Sequence, residues 1–183
     1  MARVTVGMTM SLDGFVSDRN GGVGRLYPDM EAMRQTEQLQ EAIRSTGAVV
    51  MGRRSYEMGN GDFSGYELQV PIFVLTHQAP KQVAKGENDK LTFAFVTEGI
   101  ERVINQAKAA ACDKDVTVVG GASTIHQCIE VGLADELHID LRSVLLGDGL
   151  RLFDRSGDPP IELESIGVSE SPGVTHLRYR VKK

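Results

Sequence analysis

The sequence predicts an α/β fold whose mainly parallel central sheet gains antiparallel strands at its end. Short apolar runs alternate with helical patterns through the first three quarters of the chain, and the last quarter contains strand patterns alone. In addition, glycine twice joins an apolar run to a segment with hydroxyl residues, which is typical of a strand-to-helix turn. We expect about eight strands and four helices in one domain, residues 1–183.

The chain begins with a strand and a long loop. Residues 3–10 alternate between valine or methionine on one side and threonine or glycine on the other, which predicts a half-apolar strand. Residues 11–25 are rich in glycine and predict a mobile loop that folds over a ligand. Residues 28–47 then predict a helix, because acidic residues fall in the first turn and a rough apolar stripe follows.

The middle of the chain repeats a strand-then-helix pattern. Residues 48–51 form an uninterrupted apolar run, which predicts a strand covered on both faces, and residues 53–58 continue as a short helix. Residues 71–75 and 91–96 predict two further strands. Apolar residues at helical spacing between 100 and 111 indicate the next helix, which we expect Thr97, Glu98 and Gly99 to cap.

The last part begins with a strand at residues 116–119, a glycine pair and a helix that ends at Gly132. Residues 136–146 are the longest strand candidate, with Leu137 and Ile139 on one side and His138 and Asp140 on the other. A short apolar patch follows at residues 150–153. Two strand patterns around Pro172 then predict a C-terminal hairpin.

Composition points to a globular protein that acts on a small molecule. The chain is 41% hydrophobic and 25% charged, and its net charge of −5 argues against a nucleic-acid surface. No stretch approaches the roughly 20 apolar residues of a membrane span. Neither the two cysteines nor the four histidines show ligand spacing, so we expect no metal. We expect a cytoplasmic location.

The two glycine turns are the candidate binding elements. Gly120 and Gly121 lead into Ser123 and Thr124, which are good residues for capping the N-terminus of a helix. Bare backbone and free helix amides form a site for an anion, so residues 120–124 predict a phosphate cradle. Residues 48–56 repeat the arrangement with one glycine and two arginines. We expect a ligand with two separated phosphate groups between the turns, although ordinary strand-to-helix connections also contain glycine.

Five motifs occur in an order that resembles the dihydrofolate reductase fold. They lie in residues 10–16, 50–57, 73–76, 118–123 and 135–149. They are most similar to the reductase domain of riboflavin biosynthesis and its stand-alone bacterial relatives, and the resemblance spans residues 3 to 154. It implies a three-layer α/β/α domain that uses NADPH to reduce a pterin-like or pyrimidine ring, as 5-amino-6-ribosylamino-pyrimidine reductases do.

The resemblance also implies roles for individual residues. Arg53, Arg54 and Ser55 would hold the 2′-phosphate of NADPH, for which guanidinium donors are well suited. Leu75 and Thr76 would flank the adenine and its ribose, and residues 120–124 would form the pyrophosphate turn. The implied cofactor-binding set is Gly52, Arg53, Arg54, Ser55, Leu75, Thr76, Val119, Gly120, Gly121, Ala122, Ser123 and Thr124.

The catalytic carboxylate is less clear, because the first helix has Thr36 where dihydrofolate reductases carry an acid. Glu37 would serve with a small shift in register. In the riboflavin-type reductases the aspartate of the Ser-Leu-Asp-Gly motif lies in the active site, which favours Asp13 as the residue that binds the ring and helps to supply a proton. Phe15 and Asp140 are further candidates for contact with the substrate.

Three alternatives remain open at this level. In the first, the same phosphate turns would hold a flavin or deazaflavin in place of NADPH. In the second, the chain would bind a dinucleotide but catalyse no reaction. The C-terminal hairpin would also pair with a second copy, either in a purely structural protein or in a homodimeric enzyme.

Overall fold

The computed structural model describes residues 2–154 and 159–183. Within these ranges the chain forms ten strands and five helices. The strands are β1 (Val4–Ser11), β2 (Phe15–Ser17), β3 (Thr46–Gly52), β4 (Ile72–Leu75), β5 (Phe93–Val96), β6 (Asp115–Val118), β7 (Glu136–Arg142), β8 (Leu150–Arg151), β9 (Leu163–Ser171) and β10 (Val174–Val181). The helices are α1 (Met30–Arg34), α2 (Glu37–Ser45), α3 (Arg53–Glu57), α4 (Ile100–Ala111) and α5 (Ala122–Glu130).

The central sheet has eight strands in the order β5-β4-β3-β6-β1-β7-β10-β9. The first six run parallel to one another, whereas β10 is antiparallel to both β7 and β9. This confirms the predicted mixed sheet with its antiparallel C-terminal hairpin. Because the order places β3 beside β6, the two glycine turns that follow these strands lie at the same edge of the sheet.

Each face of the sheet contributes to a separate hydrophobic core. Val50 and Phe73 pack with α4 and α5 on one face. Val49 and Ile72 point the other way and pack with Tyr56 and the segment after it. Successive side chains of β3 and β4 therefore point alternately into the two cores, as expected of strands covered on both sides. The three-layer α/β/α fold is confirmed.

Some boundaries differ from the predictions. The helix predicted at residues 28–47 is two helices, because Thr36 starts α2 with its own cap: its Oγ1 accepts from the Leu39 amide at 3.3 Å. Strand β7 ends at Arg142 and not at residue 146. The short strands β2 and β8 pair with each other outside the central sheet, and β2 was predicted as loop.

The hairpin leaves β9 at the edge of the sheet, where almost all of its residues are exposed. An exposed edge strand is a template for pairing with another chain. The homodimer expected from the hairpin stays a prediction. No helix in the described part of the chain is long and apolar enough to cross a membrane.

Candidate functional site

A large groove lies at the carboxyl ends of the parallel strands β1, β3, β4 and β6. Its volume is about 1720 Å³. The strand ends and the turns after them form the floor, residues 16–34 supply part of one wall, and residues 57–67 supply part of the other. Ligands of open α/β sheets bind outside the carboxyl ends of the strands, so this groove is the candidate site.

The two glycine turns meet on the floor of the groove. The Gly52 amide donates to the Gly120 carbonyl over 2.7 Å. A Cβ at position 52 would lie 2.6 Å from Thr124 Oγ1 and 3.2 Å from the Gly121 nitrogen, so only glycine fits there without displacing a neighbour. The Gly120–Gly121 peptide bond is cis. The turns are in contact and not separated, so a ligand would lie across both.

Helix α5 presents an open N-terminus to the groove. Its N-cap is Gly121, no side chain caps it, and its first turn contains no acidic residue. Ser123 and Thr124, which we expected to act as caps, lie inside the first turn, and Thr124 is buried against Gly52. Uncapped amides at the positive end of a helix dipole favour an anion, so the cradle has the chemistry predicted for it.

Helix α3 places two arginines at the rim. The Nε of Arg53 donates to Glu57 at 2.7 Å, one turn further along the helix. Arg54 is exposed and makes no ion pair with any residue in ranges 2–154 and 159–183. Ser55 faces inward, since its Oγ lies 3.0 Å from where a Cβ of Gly120 would stand. Arg54 is therefore free to bind a phosphate, whereas Arg53 must share its guanidinium with a carboxylate.

Eleven of the twelve predicted cofactor residues line this one groove. The exception is Gly120, whose backbone forms the turn beneath it. Leu75 and Thr76 lie at the end of β4, where Thr76 Oγ1 donates to the Gln78 carbonyl at 2.9 Å. The sequence motifs therefore converge in space, although their roles toward a cofactor stay predictions.

Asp13 does not line the groove. Its Oδ1 accepts from the Ser11 hydroxyl at 2.6 Å and from the Leu146 amide at 3.1 Å, and its Oδ2 accepts from the Gly147 amide at 2.7 Å. The Ser11 hydrogen bond and these amides lower the pKa of Asp13 from 3.8 to about 2. A carboxylate held in this way anchors the loop after β7 and is a poor proton donor at neutral pH.

We expect Asp13→Asn to lower stability near neutral pH and to flatten its acid dependence. A folded-state pKa below the unfolded value means that the carboxylate stabilises the fold above about pH 4 and loses that contribution as the pH falls toward about 2. Urea unfolding from pH 6 to pH 2 measures this. The exposed Asp89→Asn is the control. Identical pH profiles for wild type and Asp13→Asn would rule out the anchoring role.

The other predicted catalytic and substrate residues also lie outside the groove lining. Glu37 is exposed in the first turn of α2. Phe15 is buried, with the Arg151 guanidinium 4.6 Å above its ring. Asp140 is bonded to His176 and Arg178 on the neighbouring strand. Their roles toward a substrate stay predictions.

The sequence analysis missed two tyrosines in the groove walls. Tyr27 and Tyr66 line the groove from opposite loops, and burial raises the pKa of both phenols. Both hydroxyls are therefore protonated at neutral pH, and that of Tyr27 is already hydrogen-bonded to Thr9. The Arg34 Nε donates to Glu67 at 2.8 Å, which joins α1 to the loop that carries Tyr66. The available signal was an aromatic residue next to a glycine-rich segment, which both tyrosines share.

Within the described residues, no group of three or more histidine, cysteine or acidic side chains could hold a metal ion. The polar groups that line the groove include backbone amides, hydroxyls and the arginines Arg53 and Arg54, which suit an anionic group, together with the carboxylates of Glu57, Asp62 and Glu67.

Comparisons with known proteins agree with this geometry. The sequence model of the family described as the RibD C-terminal domain matches residues 2–177. The uncharacterized protein YyaP of Bacillus subtilis (strain 168) is 26% identical over 158 residues, which cover 82% of this chain and 80% of YyaP.

Solved structures match over the whole chain. A putative riboflavin biosynthesis protein from Shewanella sp. PV-4 has a TM-score of 0.80 at 23% identity, with all of both chains covered. The riboflavin biosynthesis reductase Rib7 of Saccharomyces cerevisiae has a TM-score of 0.61 at 16% identity and is covered to 89%. A diaminohydroxyphosphoribosylaminopyrimidine deaminase/5-amino-6-(5-phosphoribosylamino)uracil reductase from Thermotoga maritima has a TM-score of 0.73 at 15% identity, and this chain spans 57% of it. At these identities the structures establish the fold.

Proposed function

Because the chain belongs to the family of RibD C-terminal domains, we propose that it is an NADPH-dependent reductase that transfers a hydride to a pterin-like or pyrimidine heterocycle. The substrate would be of the 5-amino-6-ribosylamino-pyrimidine class. The observation that carries the proposal is the convergence of eleven predicted cofactor residues on one groove, with an uncapped helix N-terminus in its floor.

The residues present fit a dinucleotide phosphate. The Gly52 position, where a Cβ would strike Thr124, lets two backbones approach closely, and the α5 amides supply donors for a pyrophosphate. Arg54, with Arg53 beside it, supplies guanidinium donors for a 2′-phosphate. When bound, NADPH supplies the hydride.

The chain's own contribution is to bind and orient the heterocycle. The protonated hydroxyl of Tyr66 donates a hydrogen bond to a carbonyl or ring-nitrogen acceptor of the substrate, while Tyr27, which is hydrogen-bonded to Thr9, forms the facing wall. Residues 17–25, with Gly21 and Gly24 on the groove surface, cover the ligand and exclude water. Asp13 contributes by holding the loop after β7 through its hydrogen bonds with the Leu146 and Gly147 amides.

Titration of the purified chain with NADPH, NADH, FMN and a deazaflavin tests the cofactor, and NADPH oxidation against a panel of pterins and ribosylated pyrimidines tests the reaction. We expect saturable NADPH binding and oxidation with a ribosylated pyrimidine. Preferential binding of a flavin or deazaflavin would replace NADPH in the proposal. NADPH binding without oxidation of any substrate would indicate a non-catalytic homologue, and failure to bind any nucleotide would favour a structural role.

A further inference from the structure

The two walls of the groove are joined by an ion pair. The Nε of Arg34 donates to Oε1 of Glu67 at 2.8 Å, and Nη1 of the same guanidinium lies 3.5 Å from Oε2 of Glu31. Arg34 and Glu67 both line the groove, and the Glu67 side chain is only 18% exposed. The guanidinium of Arg34 therefore already has carboxylate partners, and an anionic ligand would have to compete with them.

Charge is divided unevenly between the walls and the floor of the groove. Among the described residues, the charged side chains with which the two walls line the groove are one cation, Arg34, and three carboxylates, Glu57, Asp62 and Glu67. The arginines Arg53 and Arg54 lie on α3, which begins directly after the glycine turn at Gly52. Positive charge is thus concentrated beside the glycine turns, whereas the walls are negative on balance.

Two carboxylates make the space between the walls unfavourable for an anion. Asp62 Oδ1 accepts from the Ser64 amide at 2.8 Å, and the hydrogen bonds with Ser64, followed by the charge of Lys85 outside the lining, lower the pKa of Asp62. Burial, and after it the charge of Glu67, raises the pKa of the Tyr66 phenol. Because Tyr66 lines the groove, the negative charge of Glu67 acts on the ligand space.

The remaining wall surface suits a flat, uncharged ring. Met30 and Met58 lie on opposite walls, where they are 47% and 53% exposed, and both line the groove. Phe63 packs against Tyr66 with ring centroids 5.4 Å apart, which holds the aromatic part of the wall in place. Thioether side chains adapt to the shape of a ligand and make favourable contacts with aromatic rings. A heterocycle between the walls would cover these exposed methionines.

Given the reductase function proposed above, on which this inference rests, we propose that the heterocycle bound between the walls carries no phosphate, and that Glu67 determines this specificity. Glu67 occupies Arg34, so a phosphate on the substrate finds no unshared cation in the described part of the walls. Arg19 and Arg25 are exposed on the neighbouring loop and are absent from the groove lining. The substrate class is a neutral pyrimidine or pterin, as the free ring or its ribosylated form. Phosphate binding is confined to the cofactor at the glycine turns.

The test compares 5-amino-6-(ribosylamino)uracil with its 5′-phosphate, because the two compounds differ only in the phosphate. The full chain is assayed with saturating NADPH, and kcat/KM for NADPH oxidation is measured with each compound. We expect kcat/KM to be about 30-fold or more higher for the unphosphorylated compound, since like charges oppose binding of the other. Isothermal titration calorimetry with and without NADP+ gives both dissociation constants independently of turnover.

Glu67→Gln tests the residue that is proposed to set the specificity. This change frees Arg34 and removes one negative charge, so the ratio of kcat/KM for the phosphorylated to the unphosphorylated compound should rise about tenfold. Glu41→Gln is the matched control, because Glu41 is exposed on α2, is absent from the groove lining and changes the net charge equally. In that variant the ratio should equal the wild-type ratio.

Circular dichroism and thermal melting show whether each variant is folded. If Glu67→Gln unfolds, Asp62→Asn replaces it, because asparagine keeps an oxygen acceptor for the Ser64 amide, and the ratio should again rise. An unchanged ratio in a folded Glu67→Gln protein would remove the role of Glu67.

Equal or faster reduction of the phosphorylated compound by the wild type would overturn the inference and leave the reductase function standing. If neither compound oxidises NADPH, the proposed reduction of a ribosylated pyrimidine fails, and calorimetry decides the inference separately. Tighter binding of the unphosphorylated compound would then support it. Equal or tighter binding of the phosphorylated compound, or no binding of either, would refute it.

Discussion

Replacing Arg53 and Arg54 together by alanine is expected to weaken NADPH binding about 30-fold and to leave NADH binding within about twofold, since charge-assisted hydrogen bonds to a phosphate are the interactions lost. Both guanidinium groups stand at the rim of the groove on α3, and the two cofactors differ only in the 2′-phosphate. Fluorescence titration with both nucleotides measures the two dissociation constants.

The matched control replaces Arg44 and Arg102, which are exposed on α2 and α4, are absent from the groove lining and change the net charge by the same amount. An equal loss for NADPH and NADH in the Arg53/Arg54 variant would remove the 2′-phosphate role. An equal loss of NADPH affinity in the Arg44/Arg102 control would also remove that role, because the loss would then be a long-range effect of net charge.

Single substitutions separate the two arginines. Arg54→Ala should cost more NADPH affinity than Arg53→Ala, because the Arg53 Nε is already bonded to Glu57. For the same reason Glu57→Gln should strengthen NADPH binding by releasing Arg53 from its carboxylate. Glu57 is exposed and lines the groove, so its carboxylate would compete with a bound phosphate for Arg53.

The fold was predictable where local patterns and packing agree. The apolar runs of β3 and β4 alternate between two cores, which is typical of strands covered on both faces, and a glycine turn follows β3 as predicted. The break at Thr36 was missed because a weak apolar stripe continues across it, while the capping hydroxyl creates a new helix start. Short strand β2 pairs with β8, a contact that no local pattern encodes.

The site was predictable only where one short motif carries the chemistry. Glycine next to arginine or hydroxyl residues marks both turns, and strand order brings them together. The hydrogen bonds of Asp13 with the Leu146 and Gly147 amides could not be predicted, since these partners lie more than a hundred residues away in the chain. Tyr27 and Tyr66 come from irregular segments whose position depends on tertiary packing.

Gly52→Ala is expected to reduce cofactor affinity more than tenfold and to lower the free energy of unfolding by about 1–3 kcal/mol, the usual cost of overpacking. The backbone at Gly52 has φ −78°, which alanine adopts readily, so the effect comes from the methyl group. That methyl would lie 2.6 Å from Thr124 Oγ1. Thr124 is only 4% exposed, so we expect the added methyl to push the two turns apart.

Two comparisons isolate that contact. Gly65 also lines the groove, but a Cβ there meets nothing within 4 Å. Gly65→Ala should therefore keep the melting temperature and the NADPH affinity of the wild type. Thr124→Ala removes the oxygen in question, and the double variant Gly52→Ala/Thr124→Ala should therefore lose less stability than the sum of the single losses, by about 1 kcal/mol. The contact with the Gly121 nitrogen at 3.2 Å remains in the double variant, so we expect partial and not full recovery of NADPH affinity. Strictly additive losses would mean that the two turns do not constrain each other, and the cradle would then lose its structural basis.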